Sequence, residues 1–282
     1  MLLQQETIYQ TKDNSFAFSA REVIGQYSMN NYHFHDQYEF YYLLSGKRYY
    51  FIKDRTSLVE KGNLVLIKPF DLHKTTDAGE GAHERVLINF DKKFLTPSIR
   101  SLLEEVYATK HNVIPLLPAE QEYIETMLLQ FIQEIRNKEV GYESSLQALL
   151  MQLLIYLRRN KDDDSIIESN EHPSEMHKKM SEIVQYINLN YREYLSLSSV
   201  AKHFYISQYY LSRAFKQATG FTFVEYVNSV RIRESQILLR ESDKKVIEIA
   251  EEVGFGNISH FGRVFKNITG YSPLHYKKMN KL

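Results

Sequence analysis

Four side chains in the first third of the chain, His33, His35, Glu39 and His73, are of the types that hold a metal ion or a polar ligand. Neutral imidazoles with one carboxylate suit Fe, Mn, Ni or Zn. Alternation along a strand would set residues 33 and 35 on one face. The same groups can also work without metal. Joined by Tyr41, they make a polar pocket with aromatic walls, suited to a sugar or other polyhydroxy ligand whose CH faces stack on rings and whose hydroxyls take hydrogen bonds. Arg48 is a further candidate, although a core arginine satisfied by backbone is its plainer reading. A different chemistry sits near the other end. Arg213 and Arg263 each stand two residues before a Phe-Lys pair. A guanidinium can take guanine N7 and O6 together, and an aliphatic or aromatic group can touch a thymine methyl. Lys216 and Lys266 suit phosphate.

The elements that position the arginines can be read from spacing. Val246, Ile249, Ala250 and Val253 recur at helical intervals and predict a helix over 245–252. Gly254 follows, where positive φ is tolerated. A second helix from about 259 has Phe261, Val264, Phe265 and Ile268 on one face, and Thr269-Gly270 closes it. Two short helices across a tight glycine-containing turn form the helix-turn-helix pattern, whose second helix can enter the DNA major groove. The pattern also occurs earlier in the chain. Ala201 is the counterpart of Ala250, and 215–220 is the counterpart of 265–270, with one extra residue in the second turn. A repeated supersecondary unit predicts two tandem modules. A helix over 223–239 would join them and set both recognition helices on one DNA face, about one helical turn apart. Leu211, Ala214 and Phe215 in the first recognition helix, and Phe261, Val264 and Phe265 in the second, are expected to point inward.

The first part of the chain reads differently. Residues up to about 14 are polar and read as an arm. Short β-type runs follow at 16–19, 38–44, 48–52, 57–60, 63–68 and 85–90, punctuated by Ser45-Gly46, Lys61-Gly62-Asn63 and Ala78-Gly79. Such spacing suggests a small barrel or jelly roll. Helical patterns then cover 98–109, 120–137 and 144–159. The stripe Leu146, Leu149, Leu150, Leu153, Leu154 and Leu157 is wider than one neighbouring helix requires, so it packs on the barrel or forms a homodimer interface. Residues 161–174 are charged and aperiodic and read as a linker, after which 176–189 is again helical. The fold class expected is therefore α+β multidomain. Residues 1–160 would form a β-barrel with a helical pair, for ligand binding and dimerisation, and 175–282 an all-α domain of two helix-turn-helix modules.

The 282 residues contain no cysteine, which excludes disulfides, thiolate nucleophiles and cysteine-ligated zinc. No apolar run approaches the ~18 residues of a membrane span. The N-terminus shows no basic segment followed by an apolar core. A soluble, cytoplasmic protein without membrane association is expected. Net charge is zero, but residues 174–282 hold 16 basic and 10 acidic side chains against 19 and 25 in the remainder. A basic C-terminal part fits contact with phosphate.

Ala201, Ser207, Leu211, Arg213, Phe215-Lys216 and Gly220, with Arg231-Ile232, Leu238-Leu239, Ile249-Ala250, Gly254-Phe255, Phe261, Phe265-Lys266, Gly270 and Ser272-Pro273, resemble the signature of the AraC/XylS transcription regulators. Ser235 departs from it, standing where that family usually has Ala. The resemblance places Tyr209, Ser212 and Arg213 at base-reading positions. It sets Ile258, Ser259, His260 and Arg263 on bases or the adjacent backbone, with Asn257, Lys216 and Lys266 alongside. The segment from His33 to Glu39, the six-residue gap to Gly46, and then Gly62, Pro69 and His73 resemble the two motifs of a cupin barrel, which such regulators often carry as effector domain. Asp71 stands where many cupins have Gly, and His73 is shifted by one, which matches regulatory cupins better than enzymatic ones. The resemblance implies a homodimeric activator of promoter DNA that meets RNA polymerase, answers to a small molecule, and needs no cofactor. A metal-dependent cupin enzyme with an appended DNA-binding module is the alternative.

Overall fold

The structure is a computed structural model and describes residues 5–24, 35–79, 81–108, 112–160 and 174–280. His33 and nearly all of the expected linker, 161–173, lie outside the described residues. Two compact units divide the chain, one holding the strands and the helices up to residue 160, the other the helices from residue 175 on.

The N-terminal unit has nine strands among its described residues: β1 Thr7–Gln10, β2 Phe16–Ile24, β3 Tyr38–Ser45, β4 Lys47–Ile52, β5 Arg55–Glu60, β6 Asn63–Ile67, β7 His73–Asp77, β8 Ala82–Phe90 and β9 Val113–Pro115. They form a six-stranded sheet, β1-β2-β8-β3-β6-β9, and a three-stranded sheet, β5-β4-β7. Side chains alternate across each strand and sort into two cores. Tyr41, Leu43, Val65 and Ile67 of the larger sheet meet Tyr50, Ile52 and Val59 of the smaller one. The opposite face of the larger sheet, with Phe16, Phe18, Phe40, Tyr42, Val86 and Ile88, is covered by α1 Arg100–Tyr107, α2 Pro118–Asn137 and α3 Tyr142–Asn160.

Three expectations change here. The polar N-terminal arm contains a strand, because Thr7–Gln10 pairs antiparallel with β2 and extends the sheet edge. The helix expected over 98–109 begins as a 3-10 turn at Pro97–Ile99 and is α-helical only over Arg100–Tyr107. All six leucines of the wide α3 stripe are buried within the protomer, against α1, α2 and the sheet. The stripe is wide because α3 sits among several neighbours, so its width does not by itself require a second copy.

The C-terminal unit contains α4 Glu175–Asn190, α5 Leu197–His203, α6 Gln208–Thr219, α7 Phe223–Glu241, α8 Val246–Glu252, α9 Ile258–Thr269 and α10 Pro273–Asn280. The repeat extends to single hydrogen bonds. Ile206 N donates to Ala201 O at 3.0 Å, and Phe255 N to Ala250 O at 2.9 Å. Ser207 caps α6 through Tyr210 N, and Asn257 caps α9 through His260 N. Thr219 and Thr269 each donate to the carbonyl four residues back and accept from the amide two residues on. Gly220 and Gly270 end the helices with φ of 76° and 80°. The Thr-Gly pairs therefore recur because each module needs the same helix stop.

Between α5 and α6 lie four residues, and between α8 and α9 five, which is the extra residue expected from the alignment. Tyr205 takes φ 55° in the first turn and Gly254 φ 90° in the second. A Cβ on Gly254 would come within 2.7 Å of Arg192 O and 2.8 Å of Tyr191 O, so this turn needs glycine for room as well as for φ. Arg231 of α7 donates to Tyr191 O and Glu193 O, both at 2.8 Å, and lies over the Phe255 ring. This arginine ties the end of α4 to the second module. Ser235, fully buried, donates to Ile232 O at 2.7 Å, so its hydroxyl is satisfied where the family has Ala.

Candidate nucleic-acid interface and ligand site

In α6 the buried residues are Leu211, Ala214, Phe215, Ala218 and Thr219. Tyr209, Ser212, Arg213 and Lys216 are exposed on the other face. Tyr209 is 71% exposed. Arg213 Nη1 donates to the Tyr209 hydroxyl at 3.1 Å, and its guanidinium lies 5.6 Å from that ring's centroid. The two side chains, one turn apart, thus preorganise each other. In α9 Phe261 and Phe265 are buried, while Val264, expected inward, is only half-buried. Asn257, Ile258, Ser259, His260, Arg263 and Lys266 are all exposed. Asn257 already has a structural task, since its Oδ1 accepts from His260 N at 2.9 Å.

The structure brings His35, Glu39 and His73 together, with one ligand atom of each within 4.8 Å of the others. It does so by a route that differs from the strand-face expectation. His35 lies before β3, not on it, and reaches Glu39 of β3 from four residues back, Nε2 to Oε2 at 3.1 Å. His73 opens β7 on the smaller sheet, with Nε2 3.7 Å from the same oxygen. Each imidazole turns Nδ1 to a backbone carbonyl, His35 to Gln37 O and His73 to Asp71 O. Two further residues complete the cluster. Tyr50 donates to Glu39 Oε1 at 2.7 Å, and Asn89 donates to Oε2 at 3.2 Å. Neither was among the sequence candidates. Asn89 faces Glu39 in the β3–β8 register and Tyr50 comes from the opposite sheet, so only strand pairing reveals them.

Glu39 is 2% exposed. Burial pushes its pKa up, but the His73 charge, the His35 hydrogen bond and charge, and the Tyr50 hydroxyl outweigh it and hold the carboxylate below its ordinary range. For His35, burial pulls the pKa down, and the Glu39 hydrogen bond and charge raise it above the ordinary value. Two imidazoles and a carboxylate are a donor set that suits a divalent first-row metal, and the carbonyls on both Nδ1 atoms are what such ligands use for orientation. Without metal the same atoms form a buried ion-pair network around Glu39.

Tyr41 lies deeper between the sheets, its ring 5.2 Å from Tyr50. Burial raises its pKa. Arg48 is 1% exposed and does not join the Glu39 group. Its Nη1 lies 3.8 Å from Asp77 Oδ1 and its Nη2 3.5 Å from Thr75 Oγ1. Near it His83, 4% exposed, has its pKa lowered to about 4 by burial first, then by the Arg48 and Arg85 charges, with Asp77 opposing and Arg21 adding.

This depression predicts a pH effect. The folded protein resists a proton that the unfolded chain accepts near 6.5, so the stability due to His83 is complete above 6.5 and falls as pH drops towards 4. The span corresponds to roughly 3 kcal/mol. Urea unfolding at a series of pH values should show this slope in the parent and a shallower one in His83→Gln. Equal slopes would mean that other groups set it.

Tandem helix-turn-helix modules with matched exposed faces, beside a two-sheet unit with an inward-facing polar cluster, define a DNA-binding protein with a ligand-binding domain. Comparison with known families agrees. A helix-turn-helix domain model matches residues 200–279, and an AraC-like ligand binding domain model matches residues 17–154. The chain is 28% identical over 256 residues to the helix-turn-helix-type transcriptional regulator YfiF of Bacillus subtilis, covering 88% of this chain and 79% of that protein. It is 25% identical over 245 residues to the transcriptional activator RhaS of Escherichia fergusonii, covering 86% and 85%. The C-terminal domain of AraT, a response regulator from Geobacillus stearothermophilus, is 31% identical over 39% of this chain and 91% of that one, with a TM-score of 0.37. The chain belongs to the AraC family of helix-turn-helix transcription regulators and carries the family's N-terminal ligand-binding domain. No helix among the described residues is long and apolar enough to cross a membrane.

Proposed function

We propose that this chain is a sequence-specific transcription activator that binds promoter DNA as a homodimer and answers to a small molecule, a sugar or sugar derivative, held in its N-terminal unit. Residues 1–160 are the effector and dimerisation domain, 161–174 the linker and 175–282 the DNA-binding domain. The carrying observation is the duplicated exposed face, Tyr209, Ser212, Arg213 and Lys216 in α6 and Ile258, Ser259, His260, Arg263 and Lys266 in α9. Exposed polar residues opposite a buried apolar stripe, twice over, are what reading two successive major-groove segments requires. Activation is supported by the relative RhaS, an activator, and implies contact with RNA polymerase in the cytoplasm. The effector acts by binding one arrangement of the two DNA-binding domains better than another. In this reading His35, Glu39, His73 and Tyr41, with His33 from outside the described residues, line the polar end of the pocket.

Selection of random-sequence DNA by the full-length protein tests the reading. The selected sites should contain paired elements about 10 base pairs apart, repeated once for the dimer. Failure to enrich any sequence would overturn it. The closeness of His35, Glu39 and His73 favours a second reading, a metal-dependent cupin enzyme in which these three would hold a divalent ion that would supply Lewis-acid chemistry. Manganese or zinc added to chelator-treated protein is expected to leave the melting temperature unchanged. A clear rise would support the enzyme reading.

A further inference from the structure

The interior between the two sheets is polar at both ends, with Tyr41 and Tyr50 between them. The first end is the Glu39 cluster. The second is built from arginines. Arg85 on β8 lies directly opposite Arg21 on β2 in an antiparallel register, a like-charge pairing that works against the sheet unless something balances it. Arg48 on β4 of the other sheet is buried among the same groups, and its charge, that of Arg85 and that of Arg21 all bear on His83. The acids nearby are few. Asp77 stands 3.8 Å from Arg48, and the exposed Glu6 stands 3.8 Å from Arg21 at the sheet margin. Glu39, the other interior acid, is taken up by His35, His73 and Tyr50. Arg85 Nη1, Arg21 Nε and the Tyr41 hydroxyl are buried without a protein hydrogen-bond partner. Among the described residues, Arg85 and Arg21 thus have one carboxylate at ion-pair distance, Glu6 at the surface, beside a buried hydroxyl donor.

We propose that Arg85 and Arg21, with the Tyr41 hydroxyl beside them, bind an anionic group on the effector, a carboxylate or a phosphate monoester. Guanidiniums match both groups, since each offers paired oxygens to a planar fork of N–H donors. The hydroxyl-binding end at Glu39 and His73 and the oxyanion-binding end at Arg85 and Arg21 then select a molecule carrying both kinds of group, such as a sugar acid or sugar phosphate. A neutral sugar leaves the guanidinium charges unbalanced. The inference rests on the N-terminal unit being the effector site. It narrows the effector from sugars in general to anionic ones.

The test is the melting temperature of the full-length protein with glucose, glucose 6-phosphate, glucuronate or inorganic phosphate, each against sodium chloride at equal ionic strength. At least one anionic probe is expected to raise it by about 3 °C or more, with glucose silent. The rise should vanish in Arg85→Gln and in Arg21→Gln, whose partly exposed positions can lose a charge without a core void. It should persist in Arg263→Ala, which removes a DNA-face charge only. Glucose 6-phosphate against glucuronate separates phosphate from carboxylate. The proposal is overturned if no anionic probe raises the temperature, if glucose does so equally, or if the rise survives both interior variants. A neutral sugar that binds independently of Arg85 and changes DNA affinity would leave the effector reading standing and remove the anionic one. An anion lost with Arg85 that leaves DNA affinity unchanged would do the reverse.

Discussion

Glu39→Ala is expected to destabilise the N-terminal unit by about 3–5 kcal/mol, the range for removing one partner of a buried ion pair. The expectation comes from what the carboxylate holds. One oxygen accepts from Tyr50, and the other faces His35, His73 and Asn89. Alanine would leave two imidazoles, a phenol and an amide around a largely buried void without their shared acceptor. Glu39→Gln should cost less, because an amide oxygen can still accept from Tyr50 or Asn89, though its NH2 meets donors on the other side. Chemical unfolding of the full-length protein, followed by near-ultraviolet signal from the tyrosine-rich N-terminal unit, measures both. A change below about 1 kcal/mol for the alanine variant would show that the network is dispensable, and with it the placement of a stable polar end to the pocket.

Arg213→Ala and Arg263→Ala should each weaken binding to the specific DNA site by about 1–3 kcal/mol, a loss of roughly 5- to 150-fold, and relax sequence preference where the lost guanidinium read a base. Folding stability should hardly move, because both side chains are exposed and neither fills a core position. Lys216→Ala and Lys266→Ala should behave differently, weakening all sequences alike and lowering the salt slope by about one each. Fluorescence anisotropy with specific and scrambled duplexes across salt concentrations distinguishes the patterns. If neither arginine variant alters affinity for the specific site, α6 and α9 have been wrongly taken as reading helices. Tyr209 adds a further consequence. Because its hydroxyl and ring orient Arg213, Tyr209→Phe should reproduce part of the Arg213→Ala loss without removing charge.

Much of the C-terminal unit could be read directly, because its information is local. Helix periodicity, the caps Ser207 and Asn257, the stops Gly220 and Gly270 and the threonines that back-bond before them all act within four residues of themselves. A repeat of such signals identifies the module and its exposed face without any long-range contact. Local patterns misjudged Val264, because burial depends on what packs around the helix, which periodicity does not measure.

The N-terminal unit was legible as strands and as a partial site, since His35, Glu39 and His73 do meet, while Tyr50 and Asn89 were missed. Alternation separated the residues facing the helices from those facing the second sheet, while register alone decided which inward residues meet. Glu39 and Asn89 are fifty residues apart in sequence and direct partners across β3 and β8, and Arg21 and Arg85 are partners across β2 and β8. Thr7–Gln10 pairs with the open edge of β2, and its Thr, Ile and Tyr are residues that strands favour. The sequence by itself determined the residue types present and the periodicities that sort them into a DNA-reading unit and a strand-rich one. Tertiary structure decided which charges share the interior. Sheet pairing brought distant segments within hydrogen-bond reach, and there, away from water, each unbalanced charge matters far more than its place in the chain could reveal.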